Sequence, residues 1–245
     1  MSDGADRTRR AIVTGAGSGI GAATARTLIA QGWRVACLDR NAAAAHAVAA
    51  GQPVFAVDVA DEPAVVATFR DAVAALGGLD ALATCAGIYE TTPFFESTAE
   101  TFRRVHEVNV IGTFLCLREA ARAMQAGARI CTVGSVAGLR GGGLAGTVSY
   151  ATSKGAVITM TKSAARELGP RGIAVNTVAP GMIDTPFVTA PLSNPVTRGR
   201  IEAMTSFGRL GTADEIAEVI AWLLSPAASY VHGATIVADA GMVMY

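Results

Sequence analysis

The chain has 245 residues, of which 51% are apolar and 16% are charged, and its formal net charge at pH 7 is zero. This composition supplies a large core and little charged surface, which favours self-association over a monomer. Basic residues cluster only at Arg7–Arg10, so nucleic acid is not expected as a partner. No uninterrupted apolar run approaches the ~18 residues that a membrane-spanning helix needs.

The cysteine and histidine spacings give no metal or disulfide pattern. The four cysteines lack C-x-x-C spacing and lie in apolar runs, and the three histidines are far apart in the sequence. Reduced thiols and the lack of a signal-peptide pattern predict a cytoplasmic protein without structural metal.

The first predicted unit is a strand, a glycine-rich turn, a helix and a second strand. A strand at 11–14 runs into Gly15-Ala16-Gly17-Ser18-Gly19-Ile20-Gly21. A helix over 22–30 ends at Gly32, and a strand at 33–38 is closed by Asp39. Glycines let the backbone approach a pyrophosphate, and the helix N-terminus supplies N–H donors.

Asp39 adds the feature that separates a nucleotide site from a plain connecting loop. An acid about 20 residues after the glycine turn is expected to bind the adenosine ribose hydroxyls. Its carboxylate repels a 2′-phosphate, so we predict NAD rather than NADP. Arg40 weakens this preference, because an arginine can pair with that phosphate.

Helices and strands continue to alternate along the rest of the chain. Further strands are predicted at 54–57, 79–84, 128–133, 173–178 and 234–238. A helix is predicted at 42–50, another from Asp61-Glu62-Pro63 to Gly77-Gly78, and a third from 149 to Gly169-Pro170. Two more helices begin at capping boxes. One runs from Ser97/Glu100 to about Met124, and the other from Thr212/Glu215 to Ser225-Pro226. Apolar strands without alternation indicate a parallel sheet covered on both faces. We predict one α/β domain over 1–245 with a doubly wound sheet, and disorder at 1–9.

Tyr150 and Lys154 are spaced by four and lie on one face of the helix predicted after 149. A lysine ammonium beside a phenol lowers the phenol's pKa and makes it usable as an acid or base. Such a pair is more often a plain surface pair, so its meaning depends on the rest of the chain.

Taken together, these motifs resemble the classical short-chain dehydrogenase/reductase family over essentially the whole chain. The matching motifs are T-G-x-x-x-G-I-G at 14–21, Asn109 in a helix, Ser135 after the fifth strand, Y-x-x-x-K at 150–154 and Pro180-Gly181. The resemblance implies a single-domain Rossmann-like sheet with strand order 3-2-1-4-5-6-7 and a homotetramer or homodimer. It also implies an oxidoreductase that interconverts a secondary alcohol and a ketone.

The resemblance also implies a role for each matching residue. Tyr150 would be the general acid/base, Lys154 would lower its pKa and bind the nicotinamide ribose, Ser135 would bind the substrate oxygen, and Asn109 would anchor a water. The cofactor would contact Gly15, Gly17, Ser18, Gly19, Ile20, Gly21, Asp39, Asp58, Val59, Ala86, Gly87, Tyr150, Lys154, Pro180, Gly181, Ile183 and Thr185. No metal is implied.

The chain departs from the family pattern at three places. Cys85-Ala86-Gly87 stands where the family has N-A-G, and Asp239-Ala240-Gly241 replaces D-G-G. The gap from Ser135 to Tyr150 is longer than usual, and we place the extra length in a flexible loop at 140–143.

Substrate choice is expected in three segments, 88–95, 138–148 and a mobile lid at 182–206. An apolar pocket is predicted from Tyr89, Phe94, Phe95, Phe187 and Met204. Two other functions stay open: an NADP(H)-dependent 3-oxoacyl-thioester reductase and a non-catalytic dinucleotide sensor. A serine hydrolase is disfavoured because Gly134–Gly138 lacks the G-x-S-x-G elbow.

Overall fold

The computed structural model describes residues 8–142, 147–188 and 193–244. Within them seven parallel strands form one sheet in the order β3-β2-β1-β4-β5-β6-β7, as predicted. The strands are β1 Arg10–Thr14, β2 Arg34–Asp39, β3 Val54–Ala56, β4 Ala81–Thr84, β5 Arg129–Val133, β6 Ala174–Pro180 and β7 Thr235–Ala238.

Helices cover both faces of this sheet. They are α1 Gly19–Ala30, α2 Ala42–Ala49, α3 Glu62–Leu76, α4 Ala99–His106, α5 Thr113–Ala123, α6 Val136–Arg140, α7 Val148–Leu168, α8 Pro195–Glu202 and α9 Ala213–Leu224. Helices α1, α2 and α9 pack on one face, and α3, α5 and α7 pack on the other. The doubly wound α/β prediction is confirmed.

The apolar strands explain why both faces must be covered. Ala11 and Val13 of β1 point into one core together with Leu28 of α1, whereas Ile12 points into the opposite core with Phe69 of α3. All five side chains are at most 2% exposed. A strand buried on both faces needs no polar alternation, which is why the sequence reads as continuous apolar runs.

Three predicted helix ends are found as expected. Asp61 caps α3 by accepting from the Ala64 N–H at 3.1 Å, and Gly77 ends that helix in the left-handed conformation. The Thr212/Glu215 capping box is present, with both reciprocal hydrogen bonds formed at the start of α9. Side-chain caps of this kind stabilise a helix end by about 1 kcal/mol.

The long helix predicted from Ser97 to Met124 is wrong in two respects. Its N-cap is Thr98, which accepts from the Thr101 N–H at 3.1 Å, so the Ser97/Glu100 capping box does not form. A π-helical turn at Glu107–Gly112 then separates α4 from α5. π turns occur mainly at functional sites, and this one turns the fully buried Asn109 toward the carboxyl end of β4.

The predicted disorder and loop segments are only partly described. Of residues 1–9, residues 1–7 lie outside the described ranges, but the Arg9 carbonyl accepts from the Arg34 N–H at 2.8 Å and so extends the sheet. The predicted loop at 140–143 is wrong at its start, because Arg140 ends α6 and Gly141 closes that helix with φ +81°. The predicted lid at 182–206 contains α8, while its residues 189–192 lie outside the described part.

Candidate active site

The carboxyl ends of the strands open into a cavity of about 470 Å³, the usual position and size for a ligand site in this fold. The predicted residues that line it are Gly15, Ser18, Gly19, Ile20, Gly21, Asp39, Asp58, Val59, Ala86, Gly87, Ser135, Tyr150, Lys154, Pro180, Gly181, Ile183 and Thr185. Gly17 and Asn109 do not line it: Gly17 is half-buried and Asn109 is fully buried. The structure therefore brings together nearly all of the residues singled out in the sequence.

The glycine turn between β1 and α1 packs tightly against the turn after β4. Gly15 has φ +68°, and a Cβ on it would lie 2.7 Å from the Ala86 nitrogen. A Cβ on Gly21 would overlap the Gly15 carbonyl. Ser18 makes no side-chain hydrogen bond to the first turn of α1, so its N–H groups stay available to an anion. This turn fits the pyrophosphate of a dinucleotide.

Asp39 is held in place by the same turn. Its carboxylate accepts from the Gly17 N–H at 2.8 Å and from the Asn41 N–H at 2.7 Å. A Cβ on Gly17 would lie 3.0 Å from that carboxyl carbon, so glycine is needed for the approach. The fixed carboxylate lines the cavity beside the exposed Arg40 and fits the ribose of the same dinucleotide.

Cys85 occupies the position where the family pattern has asparagine. The turn it begins is held by Thr14, whose hydroxyl accepts from the Ala86 N–H at 3.2 Å. The thiol itself is a hydrogen-bond partner of Thr24, and burial raises the pKa of Cys85 to about 12. The replacement thus leaves the backbone turn intact and adds no reactive thiolate near neutral pH.

Ser135 begins α6 at the carboxyl end of β5. As the N-cap of α6 its side chain accepts from the Ala137 N–H at 3.1 Å. Ser135 lines the same cavity as Tyr150, and its hydroxyl opposes part of the rise in the pKa of that tyrosine. The cap fixes the serine in position at the carboxyl end of β5, next to the phenol.

The electrostatics of Tyr150 and Lys154 differ from the prediction. Lys154 is 5% exposed and its Nζ lies 5.8 Å from the centre of the Tyr150 ring. Burial lowers the pKa of Lys154 to about 8 and raises the pKa of Tyr150 to about 12, the latter opposed in part by Ser135. The predicted lowering of the tyrosine pKa by lysine is therefore wrong for the chain alone, which keeps Tyr150 as a protonated donor.

The side chain of Asn109 holds the loop after β4 by hydrogen bonds. Its side-chain oxygen accepts from the Ile88 N–H at 2.8 Å. Its side-chain nitrogen donates to the Ile88 carbonyl and to the Ser153 hydroxyl, both at 3.0 Å. A Cβ on Gly87 would lie 3.2 Å from the Asn109 oxygen and 3.6 Å from Lys154 Nζ. Asn109 thus fixes the backbone that faces the lysine, and its predicted contact with a water stays a prediction.

Three aromatic rings form one wall of the cavity. The ring of Tyr89 lies 5.1 Å from that of Tyr150 and 5.8 Å from that of Phe187, centre to centre. Met204 lines the same cavity. Phe94 lines a separate cavity beside Gly138, and Phe95 is 97% exposed, so the prediction of these two as pocket residues is wrong.

Some lining residues were missed by the sequence analysis. Val136 and Ala137 line the cavity from α6, a helix too short to leave a periodic pattern. Met242 near the C-terminus also lines it, directly after the Asp239-Ala240-Gly241 motif. Arg140 and Ile201 line it from within the predicted substrate segments 138–148 and 182–206.

The described residues contain no group of three or more side chains that could hold a metal ion. Cys37, Cys85, Cys116 and Cys131 are all free thiols. In the same ranges, no helix combines the length and apolar character that crossing a membrane requires.

Comparison with known proteins identifies the family. The family described as enoyl-(acyl carrier protein) reductase matches residues 15–243. A 2,5-dichloro-2,5-cyclohexadiene-1,4-diol dehydrogenase of Sphingobium indicum is 38% identical, with 98% of each chain covered. A cis-4-hydroxycyclohexanecarboxylate dehydrogenase of Sinomonas cyclohexanicum is 43% identical over 95% of this chain and 96% of the relative. The chain belongs to the short-chain dehydrogenase/reductase family, whose members use a nicotinamide nucleotide.

Solved structures agree with this assignment. A short-chain dehydrogenase/reductase (glucose/ribitol dehydrogenase) from Brucella melitensis superposes with a TM-score of 0.91 at 34% identity, covering 97% of both chains. A short-chain dehydrogenase from Burkholderia cenocepacia, solved in complex with NADP, superposes with a TM-score of 0.89 at 34% identity over 96% of this chain and 97% of that one. The chain is thus an oxidoreductase of the kind that acts on CH–OH groups with NAD or NADP.

Proposed function

We propose that the protein is an NAD(H)-dependent oxidoreductase that interconverts a secondary alcohol and a ketone. The observation that carries this is that Ser135 and Tyr150 line one cavity at the carboxyl end of β5, with Lys154 buried beside them and its Nζ 5.8 Å from the centre of the Tyr150 ring. Two hydroxyls on one side of a substrate oxygen can bind it and exchange its proton. Tyr150 is the acid/base in this proposal, Ser135 orients the substrate oxygen, and Asn109 and Lys154 position the site.

NAD is the cofactor that we propose, because the fixed carboxylate of Asp39 lies where the adenosine ribose would bind. The glycine turn and the start of α1 would hold the pyrophosphate, and Lys154 would bind the nicotinamide ribose. The cofactor supplies hydride transfer at its nicotinamide ring when bound. The chain's own residues bind, orient and move the proton.

We propose a cyclic secondary alcohol as substrate. The walls formed by Tyr89, Phe187 and Met204 offer flat apolar contact to a ring. Two of the similar proteins are named for cyclic alcohols, a cyclohexadienediol and a hydroxycyclohexanecarboxylate. A small apolar ring would be held against these walls with its hydroxyl toward Tyr150.

The test is a panel of cyclic and linear secondary alcohols and ketones, followed at the NADH absorbance band with NAD and NADP in parallel. We expect turnover of cyclic alcohols with a preference for NAD. A strong preference for NADP together with activity on 3-oxoacyl thioesters would instead support the thioester reductase. Tight NADH binding without any turnover would support the sensor.

We further propose a single domain over 1–245 that assembles as a homotetramer or homodimer in the cytoplasm. Exposed apolar side chains support assembly: Ile111 and Phe114 lie near the start of α5, and both are 43% exposed. Four free thiols fit a reducing compartment. Light scattering of the purified chain gives the assembly state directly.

A further inference from the structure

Arg140 is a charged residue in the cavity that the proposed mechanism does not use. It is the last residue of α6, the helix that begins directly after Ser135. At a rise of ~1.5 Å per residue, its Cα lies roughly 7.5 Å along the helix from that of Ser135. A cation is thus placed in the substrate cavity at some distance from the reacting oxygen.

The helical spacing directs this side chain toward the cavity. Val136 and Arg140 are separated by four residues and share one face of α6 with Ala137. All three line the cavity. The Arg140 side chain is exposed, so its guanidinium is free to meet a ligand.

Two carboxylates line the cavity themselves and are held by backbone N–H groups, Asp39 by Gly17 and Asn41 and Asp58 by Ala60. Three carboxylates next in sequence to lining residues are paired with arginines. Glu90 pairs with Arg104 at 2.8 Å. Asp184 and Glu202 both pair with Arg198, at 2.9 and 3.0 Å. Within the described ranges no hydrogen bond or ion pair is found for the Arg140 guanidinium, so no described residue compensates its positive charge.

We propose that Arg140 binds a carboxylate carried by the substrate at a position remote from the reacting carbinol. The substrate class is then the hydroxycycloalkane carboxylates and the matching keto acids. This inference rests on the proposed function and adds to it that the substrate carries a carboxylate. A planar guanidinium binds a carboxylate through two parallel N–H···O bonds, and the apolar aromatic wall takes the ring between the two polar ends.

The test compares two alcohols that differ only in charge, cis-4-hydroxycyclohexanecarboxylate and its carboxamide. For the wild-type protein we expect kcat/KM to be roughly 10- to 100-fold higher for the carboxylate, the range expected for a hydrogen bond to a charged group. In Arg140→Gln this preference should disappear, mainly through a higher KM for the carboxylate, with a much smaller change in kcat/KM for the carboxamide.

Arg103→Gln is the matched control, because Arg103 is an exposed arginine of α4 outside the cavity lining. It removes the same charge and should leave the preference for the carboxylate intact. Equal kcat/KM of the wild type on both alcohols, or an equal loss on both in Arg140→Gln, would overturn the proposal. The proposal would also be overturned if Arg103→Gln removed the preference for the carboxylate as completely as Arg140→Gln does.

A binding measurement separates this proposal from the proposed dehydrogenase activity. Calorimetric titration of the NADH-loaded protein with cyclohexanecarboxylate and with cyclohexanecarboxamide needs no turnover. Tighter binding of the carboxylate that is lost in Arg140→Gln supports the anion site even if no alcohol is oxidised. Oxidation of neutral cyclic alcohols with equal binding of both ligands would support the dehydrogenase and refute the anion site.

Discussion

The Lys154 ammonium donates to the Val133 carbonyl at 2.9 Å, which ties the middle of the site to the end of β5. This bond holds a charged group in a place that is almost fully buried. Burial lowers the pKa of Lys154 to about 8, below its value of about 10.4 in an unfolded chain. The lysine thus costs stability whenever it is protonated.

The sign of the pH dependence follows from that difference. Between about pH 8 and about pH 10.4 the unfolded chain binds more protons than the folded one, so the free energy of unfolding rises with pH. In Lys154→Met this contribution is absent. We expect the wild type to gain roughly 2–3 kcal/mol relative to Lys154→Met between about pH 7 and about pH 10, measured by urea unfolding.

Two features make this pH experiment selective. The pKa of Tyr150 is raised from its usual value of about 10, so its effect on stability begins only above that pH. Lys162→Met removes an exposed lysine of the same helix and should show no such pH-dependent change. A constant difference between wild type and Lys154→Met across the pH range would contradict the burial of a titrating lysine.

The role of Asn109 leads to a second prediction, on stability. Asn109→Ala removes three hydrogen bonds, two to Ile88 and one to Ser153. At about 1 kcal/mol each, the free energy of unfolding should fall by roughly 2–4 kcal/mol, measured by denaturant unfolding. Ser153→Ala is the control, since it removes one bond to Asn109 and one to the Tyr150 carbonyl but leaves both bonds to Ile88 in place. An equal cost of the two variants would show that Ile88 is not held by the amide.

A third prediction concerns cofactor choice. Asp39→Asn keeps the shape of the side chain and removes the charge that would repel a 2′-phosphate. The ratio of kcat/KM with NAD to that with NADP should fall by about 5-fold or more, as expected for a repulsion of about 1 kcal/mol or more at close range. Arg40→Gln should move the ratio in the opposite direction. An unchanged ratio in Asp39→Asn would show that this carboxylate does not select the cofactor.

The sequence predicted the sheet, its strand order and most of the cavity lining because those features are local or carried by motifs. The glycine turn and Asp39 lie within one strand–helix–strand unit, so their meeting follows from chain order alone. The π turn around Asn109 could not be predicted, because the poor helix formers at 108–112 do not distinguish a π turn from a helix end. The side chain at its centre bonds to Ile88 and Ser153, which are distant in sequence.

The substrate side of the site could not be predicted from the local sequence either. Residue type alone predicts Phe94 and Phe95 as pocket residues. The short 3₁₀ turn at Phe94–Glu96 instead leaves Phe95 almost fully exposed. Arg140 was assigned to a loop because glycines follow it, whereas the Ser135 cap and Gly141 form one short helix around it. Residue type alone does not place a side chain in a loop-built wall.

Tyr150→Phe shows whether Tyr150 exchanges the proton of the substrate hydroxyl. The measurement is steady-state oxidation of a cyclic secondary alcohol, together with NADH binding to the same variant. We predict that turnover falls by roughly 10²- to 10⁴-fold, the range for loss of a general acid/base, while NADH affinity stays close to that of the wild type. Near-normal turnover by Tyr150→Phe would show that Tyr150 does not exchange the proton of the substrate hydroxyl.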